Sequence, residues 1–203
     1  HAKERASSAL LELERDGRRI PALAQPTKMG HLFILNRETG EPLFPVEERP
    51  VSQDWEVPGE YLAPTQPFPV KPPPLVPHEF RPEDFWGMTP WERNACVKAY
   101  GNKRYGKIFT PPTLEGTIVV PSTAGGVNWG GVAVDPGSKV LVTNVLRLAH
   151  FAQLQPAADD NEVRKSMQET MMGAPARILG TPYAIKQSAL LSPLNPVPCT
   201  APP

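Results

Sequence analysis

Arg104-Tyr105-Gly106-Lys107-Ile108-Phe109-Thr110-Pro111-Pro112-Thr113-Leu114-Glu115-Gly116-Thr117, followed by Gly125-Gly126-Val127-Asn128-Trp129-Gly130-Gly131-Val132-Ala133-Val134-Asp135-Pro136, decides how this chain folds. Strand fragments are punctuated here by Gly, Pro and an Asp-Pro turn, and Trp129 stands between glycines that let backbones approach closely. Gly116 to Pro121, Val132 to Asp135 and Lys139 to Asn144 read as strands, the last two joined by the turn Asp135-Pro136-Gly137-Ser138. Several short strands with turn signals and no helical alternation predict an all-β sandwich, barrel or propeller.

Working outward, Leu11-Glu12-Leu13-Glu14 alternates apolar and charged, Asp16-Gly17 is a hairpin signal, and Ile20 to Ala24 resumes an apolar strand. Ala6 to Arg15 is also rich in helix formers, but the Asp-Gly turn favours a hairpin. His31 to Leu35 reads as a short buried strand, and Glu38-Thr39-Gly40 turns the chain into Glu41-Pro42-Leu43-Phe44. Pro45 to Pro90 is proline-rich and reads as an irregular loop insertion over 45–92. Its interspersed Phe68, Phe80, Phe85, Trp86 and Trp91 favour a loop wrapped on a scaffold over a mobile ligand for a proline-recognition module. After Pro156 the sequence predicts a helical insertion over 157–173, capped by Asp159 or Asp160 and ended by Gly173. Ala174 to Pro203 reads as loop with one short strand at most.

Composition bounds the function. Lys plus Arg and Asp plus Glu are 21 each, so the net charge is zero and nucleic acid is not an expected partner. Proline accounts for 27 of 203 residues, well above an average usage of about 5%, which disfavours a mainly helical fold. No apolar run approaches the ~20 residues of a membrane-spanning helix, and His1-Ala2-Lys3-Glu4-Arg5 carries no signal-peptide core. Cys96 and Cys199 allow two readings, a pair of buried thiols or one long-range disulfide formed in an oxidising compartment. The four histidines are scattered without metal spacing. No Gly-x-Ser-x-Gly elbow, phosphate-cradling loop or dinucleotide fingerprint occurs. The chain starts without Met and stops at Ala201-Pro202-Pro203 with no closing element, which reads as a segment of a longer protein.

As patterns, the glycine-rich stretches around Asn128-Trp129 resemble the quinoprotein dehydrogenases that use pyrroloquinoline quinone (PQQ), especially the membrane-bound glucose, quinate and polyol dehydrogenase branch. Leu35-Asn36-Arg37-Glu38-Thr39-Gly40-Glu41-Pro42-Leu43-Phe44 is similar to a worn docking motif of that family, with Asn36 at the Asp position and Phe44 near the Trp position. No clean repeat at about 40–50 residues is visible, so propeller geometry follows from the resemblance. The resemblance implies that residues 1–203 supply about three blades of an eight-bladed β-propeller, the remaining blades being partners from elsewhere in the protein. It further implies a periplasmic dehydrogenase, tethered to the inner membrane by a segment outside this chain. That enzyme would oxidise a sugar, polyol or cyclic alcohol by hydride transfer to the quinone and pass electrons to ubiquinone or a cytochrome.

Four candidate cofactor-binding residues follow from the matching positions. Lys28, in Pro26-Thr27-Lys28-Met29-Gly30-His31, lies in a tight turn where a lysine is ordinarily just solvated. The family's lysine at this place donates to a quinone oxygen, where an ammonium stabilises developing negative charge. Asn128 and Trp129 are expected on the pocket wall, against the plainer alternatives of a positive-φ turn residue and a packed tryptophan. Asn144, ending the strand Val140 to Asn144, matches an asparagine that contacts PQQ; its plainer role is an Asx turn. No catalytic base or metal ligand is assigned. The separation that leads back from the family's lysine to its general-base aspartate lands here on His1. The carboxylates that hold the family's Ca²⁺ or Mg²⁺ are expected upstream, so the isolated chain is expected to be catalytically silent. The rival reading is a non-catalytic propeller fragment or protein-interaction module.

Overall fold

The computed structural model describes residues 7–59, 61–157, 175–178 and 180–200. The helix expected over 157–173 lies outside the described residues, apart from residue 157. The described residues form strands β1 (Ala9–Arg15), β2 (Arg18–Pro26), β3 (Leu32–Asn36), β4 (Val46–Pro50), β5 (Thr65–Pro69), β6 (Thr117–Val119), β7 (Val132–Asp135), β8 (Val140–Thr143), β9 (His150–Pro156), β10 (Ala176–Arg177) and β11 (Tyr183–Ala189), with one α-helix, α1 (Pro90–Tyr100). They divide into two compact units. The first comprises His1–Pro50, Thr65–Pro77 and Ala124–Leu146; the second comprises Val51–Pro64, His78–Thr123 and Arg147–Pro203.

The first unit is built on the expected hairpin. Asp16 and Gly17 take φ of 51° and 71°, and Arg15 pairs with Arg18, so a two-residue turn closes β1 onto β2. Adding β3 gives the antiparallel order β1-β2-β3. The two-residue period of β2 and β3 turns Ala22, Ala24, Leu32 and Ile34 inward, where Leu11, Leu13, Leu43, Phe44, Leu75, Val132 and Leu141 pack on them. After β3, Asn36 Oδ1 accepts from the amides of Glu38 (2.9 Å) and Thr39 (3.3 Å), and the amide of Gly40 donates to the Asn36 carbonyl. This is the turn the worn docking motif predicts. Phe44 at its end lies under the Arg15 guanidinium, 5.2 Å from the ring centroid. The hairpin of β7 and β8 turns where Asp135 accepts from the Gly137 amide (2.9 Å) and the Ser138 hydroxyl (2.6 Å).

The stretch from Pro45 to Pro90 is not irregular throughout, contrary to expectation. Strands β4 and β5 pair antiparallel, with Glu48 opposite Pro67 and Val46 opposite Pro69. The amide of Val70 donates to the Pro45 carbonyl (2.9 Å), which sets the phase of the ladder. Pro50, Pro67 and Pro69 therefore fall at positions whose nitrogen points away from the partner strand, where a missing N–H costs no ladder bond.

The second unit carries the four-stranded antiparallel sheet β10-β11-β9-β6 and the helix. Thr89-Pro90-Trp91-Glu92 starts α1 as a capping box: the Thr89 hydroxyl accepts from the Glu92 amide and Glu92 accepts from the Thr89 amide, with Pro90 at the first helical position. This helix, which the density of proline hid, carries Cys96 to Cys199. The two form a disulfide with Cα atoms 5.7 Å apart across 103 residues of chain, which settles the open question about the cysteines. Both are fully buried among Phe80, Phe85, Ile118, Ala149 and Leu190. Phe80, Phe85 and Tyr105 meet edge to face at centroid distances of 5.0 to 6.3 Å. A smaller cluster of Val57, Leu154 and Tyr183 is tied down where the Tyr183 hydroxyl donates to the Pro58 carbonyl.

Candidate functional site

All four predicted cofactor residues fall in the first unit, and one glycine-rich loop, Gly125 to Gly131, gathers them. The loop is held by backbone bonds. The Gly126 amide donates to the Lys28 carbonyl (2.7 Å), the Leu146 amide to the Gly126 carbonyl (2.8 Å), and the Gly131 amide to the Asn128 carbonyl (3.0 Å). From β8, the Thr143 hydroxyl donates to the Gly131 carbonyl at 2.7 Å.

Lys28 sits in the turn between β2 and β3. The Gly30 amide donates to the Thr27 carbonyl (2.9 Å), and the Thr27 hydroxyl accepts from the His31 amide (3.2 Å), so the turn is fixed at both ends. The lysine stem lies against Gly125. A Cβ on that glycine would stand 2.9 Å from Lys28 Cγ and 3.1 Å from its Cβ, and the backbone there has φ +96°. A side chain at 125 would thus be strained and would displace the lysine. Lys28 is half-buried, and its ammonium has no ion pair or hydrogen bond among the described residues.

Asn128 is held by its amide nitrogen, which donates to the Ala124 carbonyl at 2.6 Å. That bond fixes which end of the carboxamide is which. The oxygen, Oδ1, is then buried without a partner among the described residues. Asn128 is not at positive φ, so the plain turn role does not account for it. Trp129 is not packed inside; it stands 64% exposed beside the loop. Asn144 follows the last residue of β8. Its carboxamide makes no Asx turn and no other hydrogen bond among the described residues, and it lies over Gly130.

The loop therefore presents a cationic donor, an amide with free donor and acceptor, a buried acceptor and an exposed indole face. Of these, Asn128 Oδ1 is the one that is buried and unmet among the described residues, at a cost of about 1–3 kcal/mol; Lys28 and Asn144 reach solvent. No carboxylate among the described residues bonds to Lys28, Asn128 or Asn144, and no group of three or more His, Cys, Asp and Glu side chains there could hold a metal ion. No helix among them is long and apolar enough to cross a membrane. The loop glycines themselves were missed as site residues in the sequence; their doubling on both sides of Asn128-Trp129 was the available signal.

Comparisons with known proteins bear on the family of the chain. A family model described as PQQ: Glucose/ethanol/alcohol dehydrogenase, beta-propeller domain, matches residues 4–203. The chain is 32% identical over 206 residues to the quinoprotein glucose dehydrogenase of Escherichia coli (strain K12), covering 97% of this chain and 25% of that protein. It is 36% identical over 196 residues to a probable quinate dehydrogenase (quinone) of Xanthomonas campestris pv. juglandis, covering 93% and 24%. With the glycerol dehydrogenase large subunit of Gluconobacter thailandicus it shares 40% over 130 residues, covering 64% and 18%. The chain thus spans about a quarter of the length of the first two of these relatives. With sheet as its main structure and the family model matched almost end to end, this chain belongs to the β-propeller family of PQQ-dependent glucose, ethanol and alcohol dehydrogenases.

Proposed function

We propose that residues 1–203 carry the cofactor-facing part of a PQQ-dependent dehydrogenase that oxidises a sugar, polyol or cyclic alcohol and passes electrons to ubiquinone or a cytochrome. The observation that carries this reading is the buried Asn128 Oδ1 left without a partner in the glycine-rich loop, beside a Lys28 ammonium and an Asn144 carboxamide that make no hydrogen bond among the described residues. PQQ is rich in quinone and carboxylate oxygens and has one pyrrole N–H, and the residues fit it in kind. The Lys28 ammonium and the Asn144 amide are donors for its oxygens, and Asn128 Oδ1 is an acceptor for an N–H. The exposed face of Trp129 suits a flat aromatic ring.

Bound PQQ supplies the hydride-accepting quinone. The chain's own residues supply position and charge. Lys28, held by the Thr27–His31 turn and by Gly125, keeps a positive charge where a quinone oxygen gains electron density. Asn128 is oriented by the Ala124 carbonyl, which leaves its oxygen as the acceptor that a ligand N–H would meet. A general base, and the Ca²⁺ or Mg²⁺ ligands, come from chain outside these residues, so the isolated chain binds but does not turn over. The remaining blades complete the pocket. The Cys96–Cys199 disulfide favours an oxidising compartment and supports a periplasmic protein tethered to the inner membrane from outside this segment.

Titration of the chain with PQQ in the presence of Ca²⁺ or Mg²⁺, followed by tryptophan fluorescence, tests the reading. Saturable quenching that Lys28→Ala weakens is expected. A folded chain that shows none sinks it and leaves the interaction-module reading in front. Dye-linked oxidation of glucose or glycerol by the isolated chain would overturn the silent-segment part alone.

A further inference from the structure

The geometry points to Gly130 as the positioning residue for Asn144, a role that rests on the cofactor reading above for its functional meaning. A Cβ built on Gly130 would lie 3.0 Å from Asn144 Cγ and 3.3 Å from Nδ2, and closer still to Oδ1, well inside the separation that real Cβ contacts keep. The Asn144 carboxamide therefore occupies the place of the missing side chain. The backbone does not demand glycine here. Gly125 and Gly131 adopt positive φ, at +96° and +57°, whereas Gly130 does not. What glycine provides at 130 is room, and a polar side chain fills that room.

The neighbours keep the two segments in register. Thr143, one residue before Asn144, donates through its hydroxyl to the carbonyl of Gly131, one residue after Gly130. The carboxamide itself makes no hydrogen bond among the described residues, so the room left at Gly130 is what lets it rest over the loop. The other loop glycines differ in what they admit. Gly125 faces the stem of Lys28 and Gly126 faces the methyl groups of Val76, both apolar contacts. Among those three, Gly130 is the one whose missing side chain is replaced by polar atoms.

Gly130→Ala is thus a selective probe. It adds a methyl group with no backbone strain and evicts the carboxamide, which is exposed and free to rotate away. Two measurements on the 203-residue chain decide the matter. The first needs no cofactor: the Asn144 side-chain amide signals in a ¹⁵N NMR spectrum, assigned by their loss in Asn144→Ala, should move in Gly130→Ala. The control Gly137→Ala, where the nearest atom is Asp135 Oδ1 at 3.4 Å, should leave them in place. The second is PQQ affinity by fluorescence quenching. Gly130→Ala should weaken binding about tenfold, as Asn144→Ala does, and the double variant should be no weaker than Asn144→Ala alone. Should Gly130→Ala fold poorly, the double variant, in which the clash is gone, should fold normally.

Unmoved amide signals in a folded Gly130→Ala overturn the assignment whatever the cofactor does. Moved signals with unchanged affinity, or losses that simply add in the double variant, overturn the link to binding. A wild-type chain that binds no PQQ sinks the cofactor reading, and the amide signals then still decide what Gly130 holds.

Discussion

The two units treat their polar groups differently. In the second, side chains are closed off by partners. Glu92, buried at the start of α1, accepts from the Thr89 amide (3.0 Å) and from Asn195. The Thr117 hydroxyl donates to the Pro111 carbonyl (3.1 Å), Tyr100 donates to the Leu191 carbonyl (3.1 Å), and Thr123 pairs with His150 at 2.6 Å. Ser122 Oγ is the exception. In the first unit Asn128 Oδ1 is buried without a partner in the glycine-rich loop, while the solvent-reaching Lys28 ammonium and Asn144 carboxamide make no hydrogen bond among the described residues. Closed groups stabilise, and open ones cost stability unless a ligand meets them. We propose that the second unit holds the fold and the first meets the cofactor.

The largest consequence of that contrast is in the disulfide. Removing it with Cys96→Ala/Cys199→Ala releases a loop of about 100 residues and should lower stability by on the order of 4–5 kcal/mol in urea unfolding. The near-ultraviolet signal of the Phe80–Phe85–Tyr105 cluster should be lost first. A loss below about 1 kcal/mol would break the idea that this unit depends on its staple.

Next comes Lys28→Ala, which should leave the unfolding midpoint nearly unchanged while weakening PQQ binding about a hundredfold, near 2.7 kcal/mol. Equal losses in stability and binding would make the lysine structural and erase the contrast. Glu92→Ala should do the reverse. It removes the carboxylate that accepts from the Thr89 amide and leaves Asn195 without its acceptor, at about 1–2 kcal/mol of stability, with PQQ affinity untouched.

A smaller effect sits at His150, where burial pushes the imidazole pKa below its ordinary value. The folded state then binds the proton less well than the unfolded chain. Stability is full above about pH 6.5 and falls as pH drops from there toward the lowered folded value. His150→Gln should flatten that slope in thermal melts taken across pH 5 to about 7. The smallest is Lys139→Ala. Its ammonium bonds Glu14 at 2.6 Å and holds that carboxyl below its usual range. The variant should let Glu14 titrate higher by NMR with no measurable change in stability, since the pair is exposed.

Much of the first unit could be read from residues alone. Asp16-Gly17, Glu38-Thr39-Gly40 and Asp135-Pro136-Gly137-Ser138 are turns whose chemistry is local, and each forms as expected. Lys28, Asn128, Trp129 and Asn144 were legible as candidates by resemblance, but the side-chain packing of Lys28 and Asn144 onto one glycine loop was not, because it depends on contacts distant in sequence. The second unit was harder. Thr89-Pro90-Trp91-Glu92 is a helix start in full view, yet proline on either side masked it. In β9, His150, Ala152 and Leu154 alternate inward, a period too short to stand out beside the prolines. Pairing of β4 with β5 required knowing which proline nitrogens face outward, which register decides and composition does not. The pairing of Cys96 with Cys199 is likewise a fact of tertiary structure.

The most direct test of the contrast is a ¹⁵N NMR titration of the assigned 203-residue chain with PQQ and Ca²⁺. The account predicts saturable shifts confined to Lys28, Gly125 to Gly131 and Asn144, with the amides of α1, β9 and β11 unmoved. Shifts centred on the second unit, or none at saturating cofactor, would contradict it.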